Sequence, residues 1–213
     1  MPHSSTILRT VILWKGLRAS RRKSAIAISC FVGVDIRELS QDDLRSRIGF
    51  IPQKACLFSG SVEENLRYGD EEATEERMRL ALDISQSSEF VDKLPDGIKS
   101  FISQNGTNLS GGQKQRLSIA RALTRDAEVY IFDDSFSALD FSTDAKLRKA
   151  IRENLTATVI IVAQRVGTII DADKIIVLDE GRISGMGTHS ELLESNSVYR
   201  EIYDSQITRG AAQ

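Results

Sequence analysis

The sequence predicts an α/β fold, because short apolar strands alternate with segments of helical periodicity. Four segments have the length and composition of buried strands: Ile48–Pro52, Val129–Phe132, Thr158–Val162 and Asp173–Leu178. An apolar stripe at helical spacing, formed by Leu117, Ala120 and Leu123, precedes the second of them. With 213 residues, 41% hydrophobic content and a net charge of -2, the chain can bury a core as one domain, and nothing in this balance indicates nucleic-acid binding.

The first 34 residues form a distinct segment, with six basic residues and no Asp or Glu. An acid-free, Arg- and Ser-rich start followed by a short apolar run is typical of a targeting segment. The alternative is a product of truncation, rearrangement or a shifted reading frame. The apolar run, Ala25–Val34, has about ten residues, whereas a spanning helix needs about 20, so we do not expect the chain to cross a membrane by itself.

Cysteine and histidine are too few to indicate a disulfide framework or a zinc site. The cysteines are Cys30 and Cys56, the histidines are His3 and His189, and none has metal-ligand spacing. This usage fits a reducing cytosolic compartment. We expect His189 to lie on the surface at the start of a helix.

The elements after residue 35 can be assigned in order. Ser40 can cap a helix that starts at Gln41, and the strand that follows this helix ends at Gln53. Residues 70–100 carry charges at helical spacing, and Pro95–Gly97 predicts a turn. This region is therefore expected to be helical.

The end of the chain predicts a hairpin and a helix. Asp179–Arg182 predicts a hairpin turn after the last apolar strand. Thr188, with Glu191 three residues later, predicts a capping box. Arg209–Gln213 is expected to fray.

A phosphate site is predicted at the start of the helix that carries the apolar stripe. The turn that opens this helix consists of Ser110, Gly111, Gly112 and Gln113. It presents backbone N–H groups and the positive end of a helix dipole, which together make a ready site for a phosphate. Asp133 follows Ser110 by 23 residues, at the end of a strand where a carboxylate can hold Mg²⁺ through water.

Together these two motifs resemble the signature and Walker B motifs of an ATP-binding cassette (ABC) ATPase. The resemblance extends from Asp35 to about residue 205, and Leu57–Leu66 is similar to the corresponding segment of exporters. It implies a truncated P-loop NTPase (RecA-like) core with an inserted α-helical subdomain. The implied domains are an atypical basic segment (1–33), an ATP-binding domain (34–205, with the helical subdomain at about 57–125) and a tail (206–213).

The resemblance also implies roles for other residues. Gln53 matches the Q-loop glutamine, which touches Mg²⁺ and the attacking water, so Gln53 and Asp133 are the candidate metal ligands. Ser137–Asp140 matches the D-loop, which lies across the dimer interface and connects the two ATP sites. Asp140 is therefore expected near the nucleotide.

Two catalytic positions depart from the family pattern. Asp134 occupies the place of the glutamate general base, and its carboxylate is drawn back by about 1.5 Å. A displacement of about 1 Å can cost on the order of 100-fold in rate. Gln164 occupies the place of the switch histidine, and it carries no charge and exchanges no proton.

The sequence contains no Walker A loop of the form Gly-x-x-x-x-Gly-Lys-Ser/Thr. The nearest match, Gly16–Ser24, has Arg22 in place of the second glycine, where a side chain hinders the approach of phosphate. This absence favours truncation or a shifted frame as the origin of the first segment. We therefore expect the sheet to lack its P-loop strand, which leaves neighbouring strands unpaired.

These features resemble the degenerate half of a heterodimeric ABC exporter. The resemblance implies that two cassettes meet head to tail and that the turn from Ser110 to Gln113 completes the partner's ATP site. It also implies a transmembrane partner domain and a location on the cytoplasmic face of the membrane. The isolated chain is expected to bind ATP weakly and to hydrolyse little.

Three alternatives stay open. The first alternative is that Asp134 and Gln164 are tolerated variants in a working homodimer. The second is that the chain is a non-functional cassette fragment. The third alternative is a soluble ABC ATPase acting on DNA or ribosomes. The exporter-like Leu57–Leu66 and the short spacing between Gln53 and Ser110 argue against it.

Overall fold

The computed structural model describes residues 10–14, 30–31 and 34–210, with side chains described from 35 to 207. Its strands are β1 Thr10–Trp14, β2 Cys30–Phe31, β3 Val34–Asp35, β4 Ile48–Ile51, β5 Gly60–Ser61, β6 Phe101–Ile102, β7 Val129–Asp133, β8 Thr158–Ala163, β9 Lys174–Asp179 and β10 Arg182–Gly187. Its α-helices are α1 Gln41–Ser46, α2 Val62–Arg67, α3 Glu75–Ile84, α4 Ser88–Val91, α5 Gly111–Thr124, α6 Phe141–Asn154, α7 Val166–Ile169, α8 His189–Ser195 and α9 Ser197–Gly210. The expected α/β class is confirmed.

The main sheet has six strands in the order β10-β9-β1-β8-β7-β4. The strands from β9 to β4 are parallel, and only β10 is antiparallel to its neighbour. The carboxyl ends of β4, β7 and β8 therefore lie at one edge of the sheet, where α/β proteins commonly place their ligands.

The strand β1 corrects one expectation from the sequence. Thr10–Trp14 pairs with β8 on one side and with β9 on the other, so β8 and β9 do not lack a neighbour at this position. The prediction that the sheet lacks a strand here is wrong, because an apolar stretch of the acid-free segment fills the place. The Walker A-like segment Gly16–Ser24 lies outside the described residues.

The helix α5 connects two hydrophobic clusters. Ile119 and Leu123 pack with Tyr130 and Phe132 of β7 in a cluster under the sheet. Leu117 and Ala120, on another side of α5, belong to a separate cluster of helical residues. The apolar stripe recognised in the sequence is thus shared between two cores, and α5 holds the helical region against the sheet.

The helical region between β4 and α5 has a hydrophobic core of its own. Met78, Leu82, Phe90 and Val91 are buried in the second cluster. Side chains at the start of α2 and α3 accept hydrogen bonds from backbone N–H groups, which stabilises these helix ends. The boundaries of the subdomain stay a prediction.

The predicted helix caps are present at both ends of the chain. The Ser40 hydroxyl accepts a hydrogen bond from the Asp43 N–H, and Thr188 and Glu191 form a capping box. Between them in sequence, Glu180 and Gly181 have φ values of 47° and 75°, as the tight turn between β9 and β10 requires. Among the described residues, no helix combines the length and hydropathy needed to cross a bilayer.

Candidate functional site

The side chains of Gln53, Asp134 and Gln164 meet at the carboxyl edge of the sheet. The Gln53 Nε2 donates a hydrogen bond to Asp134 Oδ2 at 2.9 Å, and the Gln164 Nε2 lies 3.5 Å from the same oxygen. These residues follow β4, β7 and β8, which are adjacent and parallel. Strand order therefore explains why three positions distant in sequence meet on one carboxylate.

The backbone holds Asp134 in a fixed orientation. Its φ is 45°, a left-handed conformation that aspartate tolerates better than most residues. Its N–H donates to the Val162 carbonyl at 2.8 Å, and the Ser137 hydroxyl donates to its carbonyl at 2.7 Å. Non-glycine residues in this region are commonly found at functional sites.

Asp133 is half-buried at the end of β7, and its carboxylate has no hydrogen bond or ion pair with another residue in the described part of the chain. Together with Gln53 and Asp134, it offers the oxygen donors that Mg²⁺ prefers. The described residues contain no cluster of three His, Cys, Asp or Glu side chains that could hold a metal. The donor set fits an ion held by one or two carboxylates and completed by phosphate and water.

The turn before α5 is capped and sterically open. The Ser110 hydroxyl accepts from the Gln113 N–H at 3.2 Å, and the Gln113 Oε1 accepts from the Ser110 N–H at 2.9 Å. A Cβ added to Gly111 would meet nothing within 4 Å, and one added to Gly112 would approach only the Ala138 carbonyl, at 3.7 Å. The packing of the described chain does not require glycine at these positions.

The turn from Ser110 to Gln113 lies at the start of α5, whereas Gln53, Asp134 and Gln164 lie at the strand ends. No hydrogen bond in the described part of the chain joins it to Gln53, Asp134 or Gln164. The structure thus brings together the residues at the strand ends, but it does not link the signature turn to them.

Asp140 has a structural role as a helix cap. Its carboxylate accepts a hydrogen bond from the Thr143 N–H at 3.0 Å and caps α6. Hydrogen bonds from the Thr143 backbone and side chain lower the pKa of Asp140. Its predicted contact with nucleotide stays a prediction.

Sequence reasoning missed a pair of residues beside this site. The Arg165 guanidinium carbon lies 5.4 Å from the ring centroid of Phe141, and the Phe141 ring is exposed. The Arg165 Nη2 is also 3.5 Å from the Ser137 carbonyl oxygen. The aromatic residue directly after Asp140, followed by polar residues, was the available indication in the sequence.

Comparisons with known proteins identify the family and the fold of the chain. The profile of the ABC transporter family matches residues 17–137, a range that begins inside the acid-free segment. A solved bacterial Atm1-family ABC exporter with ATP bound is 32% identical, with a TM-score of 0.82, and the match covers 93% of this chain and 36% of that chain.

Two curated relatives show the same resemblance in sequence. An uncharacterised ABC transporter ATP-binding protein of Mycobacterium bovis is 46% identical over 82% of this chain and 30% of its own length. The mitochondrial iron-sulfur clusters transporter ATM1 of Candida glabrata is 44% identical over 82% of this chain and 24% of its own length. The chain thus spans less than a third of either relative. It belongs to the ABC transporter family and has the fold of that family's ATP-binding domain.

Proposed function

We propose that this chain is an ATP-binding domain of an ABC exporter whose own catalytic position is altered and whose signature turn acts on a second cassette. One observation carries this proposal: two neutral amides, those of Gln53 and Gln164, converge on the Asp134 carboxylate. Asp134 stands at the position that the resemblance gives to the general base, and no histidine of the described residues forms a hydrogen bond with it. In a working homodimer, by contrast, both changes would have to be tolerated variants.

The chemistry at the strand ends supports nucleotide binding more than rapid hydrolysis. Asp133 and Gln53 would hold Mg²⁺, which neutralises charge on the phosphates when it is bound. Asp134 would orient water as a general base, but the short side chain places its carboxylate back from the family position. Gln164 can donate a hydrogen bond to a phosphate oxygen but supplies no positive charge. We therefore expect slow hydrolysis by the isolated chain.

The open turn before α5 supports a role for the signature in trans. The positions that side chains of Gly111 and Gly112 would occupy are open, apart from the Ala138 carbonyl oxygen at 3.7 Å, at the start of a 14-residue helix. A helix start of this kind favours a phosphate ligand. The phosphate would come from ATP held by a second cassette, which meets this chain head to tail.

An exposed aromatic surface supports a transmembrane partner domain. Phe50 and Tyr68 are 54% and 67% exposed and line a cavity of about 370 Å³ between α1, α2 and α5. Arg121, in the same cavity, has a buried Nη1 atom without a hydrogen-bond partner among the residues that the structure describes. A partner segment that covers these rings and offers an acceptor to Arg121 would hold the domain at the cytoplasmic face of the membrane.

The first experiment measures the thermal unfolding midpoint of the purified chain with and without millimolar Mg²⁺-ATP. A ligand at ten times its dissociation constant stabilises a protein by about 1.4 kcal/mol. This corresponds to a rise of about 3–5 °C for a chain of this size. We expect the rise to be lost in Asp133→Ala and kept in Asp96→Ala, which removes an exposed carboxylate from a distant turn.

A cooperative transition without any shift would contradict nucleotide binding and favour the non-functional fragment. An equal shift in Asp133→Ala would show that ATP binds without the proposed metal ligand. Either outcome would remove the basis for assigning the strand ends as the nucleotide site.

A further inference from the structure

The side chain of Gln206, in the last helix, contacts the backbone on both sides of Arg165. Its Oε1 accepts a hydrogen bond from the Val166 N–H at 2.8 Å. Its Nε2 donates a hydrogen bond to the Gln164 carbonyl, also at 2.8 Å. One side chain of α9 thus holds the segment that contains the switch position, although it lies 42 residues from Gln164 in sequence.

This contact replaces a missing helix cap. Val166 is the first residue of α7, and the preceding residue, Arg165, provides no side-chain cap. The first N–H groups of a helix have no intrahelical partner. Because α7 has only four residues, few hydrogen bonds of its own hold it in place. The amide oxygen of Gln206 therefore satisfies a donor that would otherwise lack a partner within α7.

The same contact restricts the direction of the Gln164 side chain. On one side of Gln164, β8 ends at Ala163 and is paired with its neighbours. On the other side, Gln206 holds both the Gln164 carbonyl and the Val166 N–H. The Gln164 Nε2 reaches Asp134 Oδ2 only at 3.5 Å, so a small backbone movement is enough to break this contact.

We propose that Gln206 is a positioning residue for Gln164, acting through the backbone of residues 164–166. The functional meaning of this position rests on the proposed role of Gln164 at a nucleotide phosphate. The packing of α9 then determines, through Gln206, how Gln164 is held at the strand-end site. Displacement of α9 releases the switch side chain from Asp134.

The test uses nuclear magnetic resonance on the full chain without nucleotide. It compares the unmodified chain with Gln206→Ala, Gln206→Glu and Ile207→Ala. Ile207→Ala is the matched control, because it shortens an exposed neighbour on the same helix. Hydrogen exchange of the Val166 amide reports the backbone contact, and the side-chain amide resonances of Gln164 report its position.

In Gln206→Ala we expect exchange at Val166 to accelerate at least about tenfold, and the Gln164 side-chain resonances to move. In Gln206→Glu the carboxylate still accepts from Val166 but cannot donate to the Gln164 carbonyl. Protection of Val166 should therefore persist at neutral pH while the Gln164 resonances shift. They should return toward their original positions as acid protonates the new side chain.

If the Val166 amide lost its protection from hydrogen exchange but the Gln164 resonances did not move, Gln206 would stabilise only the backbone of α7. That result would overturn the proposal. The same holds if Ile207→Ala reproduces both effects. A titration with Mg²⁺-ATP then tests the functional premise separately, and we expect about 3- to 10-fold weaker binding in Gln206→Ala. Absence of ATP binding to the unmodified chain would contradict the proposed function. The Val166 exchange rate and the Gln164 resonances, both measured without nucleotide, would still decide whether Gln206 positions Gln164.

Discussion

Gly111 is the first residue of α5 and Gly69 follows α2, and the structure predicts opposite effects of adding a side chain at these two positions. A Cβ on Gly111 would enter open space, whereas a Cβ on Gly69 would lie 2.0 Å from the Arg121 carbonyl oxygen. A side chain at Gly111 would therefore cause no steric clash in the folded chain. Gly69 is required by the close approach of α2 and α5.

We expect Gly111→Ala to leave the free energy of unfolding unchanged or to raise it by up to about 1 kcal/mol, because alanine favours the helix. Gly69→Ala should lower it by about 1–3 kcal/mol or more, because the backbone must move. Urea unfolding of both variants measures the difference. A loss of stability in Gly111→Ala equal to that in Gly69→Ala would show that Gly111 is a packing residue and remove an argument for a site in trans.

At the scale of the element, α5 and α2 both start with a capping box. Ser110 and Ser61 each form a capping box with the residue three positions later. Only the cap of α5 belongs to the proposed phosphate site. The two caps therefore allow structural and ligand effects to be separated.

We expect Ser110→Ala and Ser61→Ala each to lower stability by about 1 kcal/mol through loss of the cap. If the turn before α5 binds the phosphate of ATP held by a second cassette, only Ser110→Ala should also weaken Mg²⁺-ATP binding in a mixture of this chain with an intact ABC cassette, measured by calorimetry at a temperature where both variants are folded. Equal effects of both changes on binding would mean that Ser110 acts on nucleotide only through general stability.

At the scale of the whole molecule, several hydrogen-bonded carboxylates predict loss of stability in acid. The pKa values of Asp92, Asp140 and Glu191 are lowered, chiefly by Arg79 for the first and by backbone N–H groups at helix starts for the other two. A carboxyl whose pKa is lower in the folded state stabilises the protein above its ordinary pKa, and this contribution is lost as the pH falls. Asp144 opposes this trend, because burial raises its pKa.

We expect the unfolding midpoint to fall as the pH is lowered from about 5 to 3. Asp140→Asn should make this decline shallower, since asparagine caps a helix about as well but does not titrate. Scanning calorimetry across this range provides the measurement. A midpoint that stays constant down to pH 3 would contradict a net stabilising role for these carboxylates.

Local features of the molecule were predictable from the sequence alone. The cap at Ser40, the box of Thr188 with Glu191 and the strands β4, β7, β8 and β9 follow from residue types within a few positions of one another, whereas the two-residue strands β5 and β6 were not predicted. The family motifs also predicted the α/β class, since their spacing reflects the order of strands and helices. Such patterns depend on short-range periodicity, which a single sequence displays directly.

The tertiary structure decided which distant residues meet. Gln53 and Asp134 are 81 residues apart and Gln164 and Asp134 are 30 apart, so their contact depends on the parallel pairing of β4, β7 and β8. The strand Thr10–Trp14 inserts between β8 and β9, although no local pattern in the acid-free segment specifies a pairing partner. Gln206 likewise reaches Gln164 only because α9 packs beside α7. Residue types and periodicity determine the elements, whereas contacts between strand ends and helices arise only when the chain folds and buries its cores.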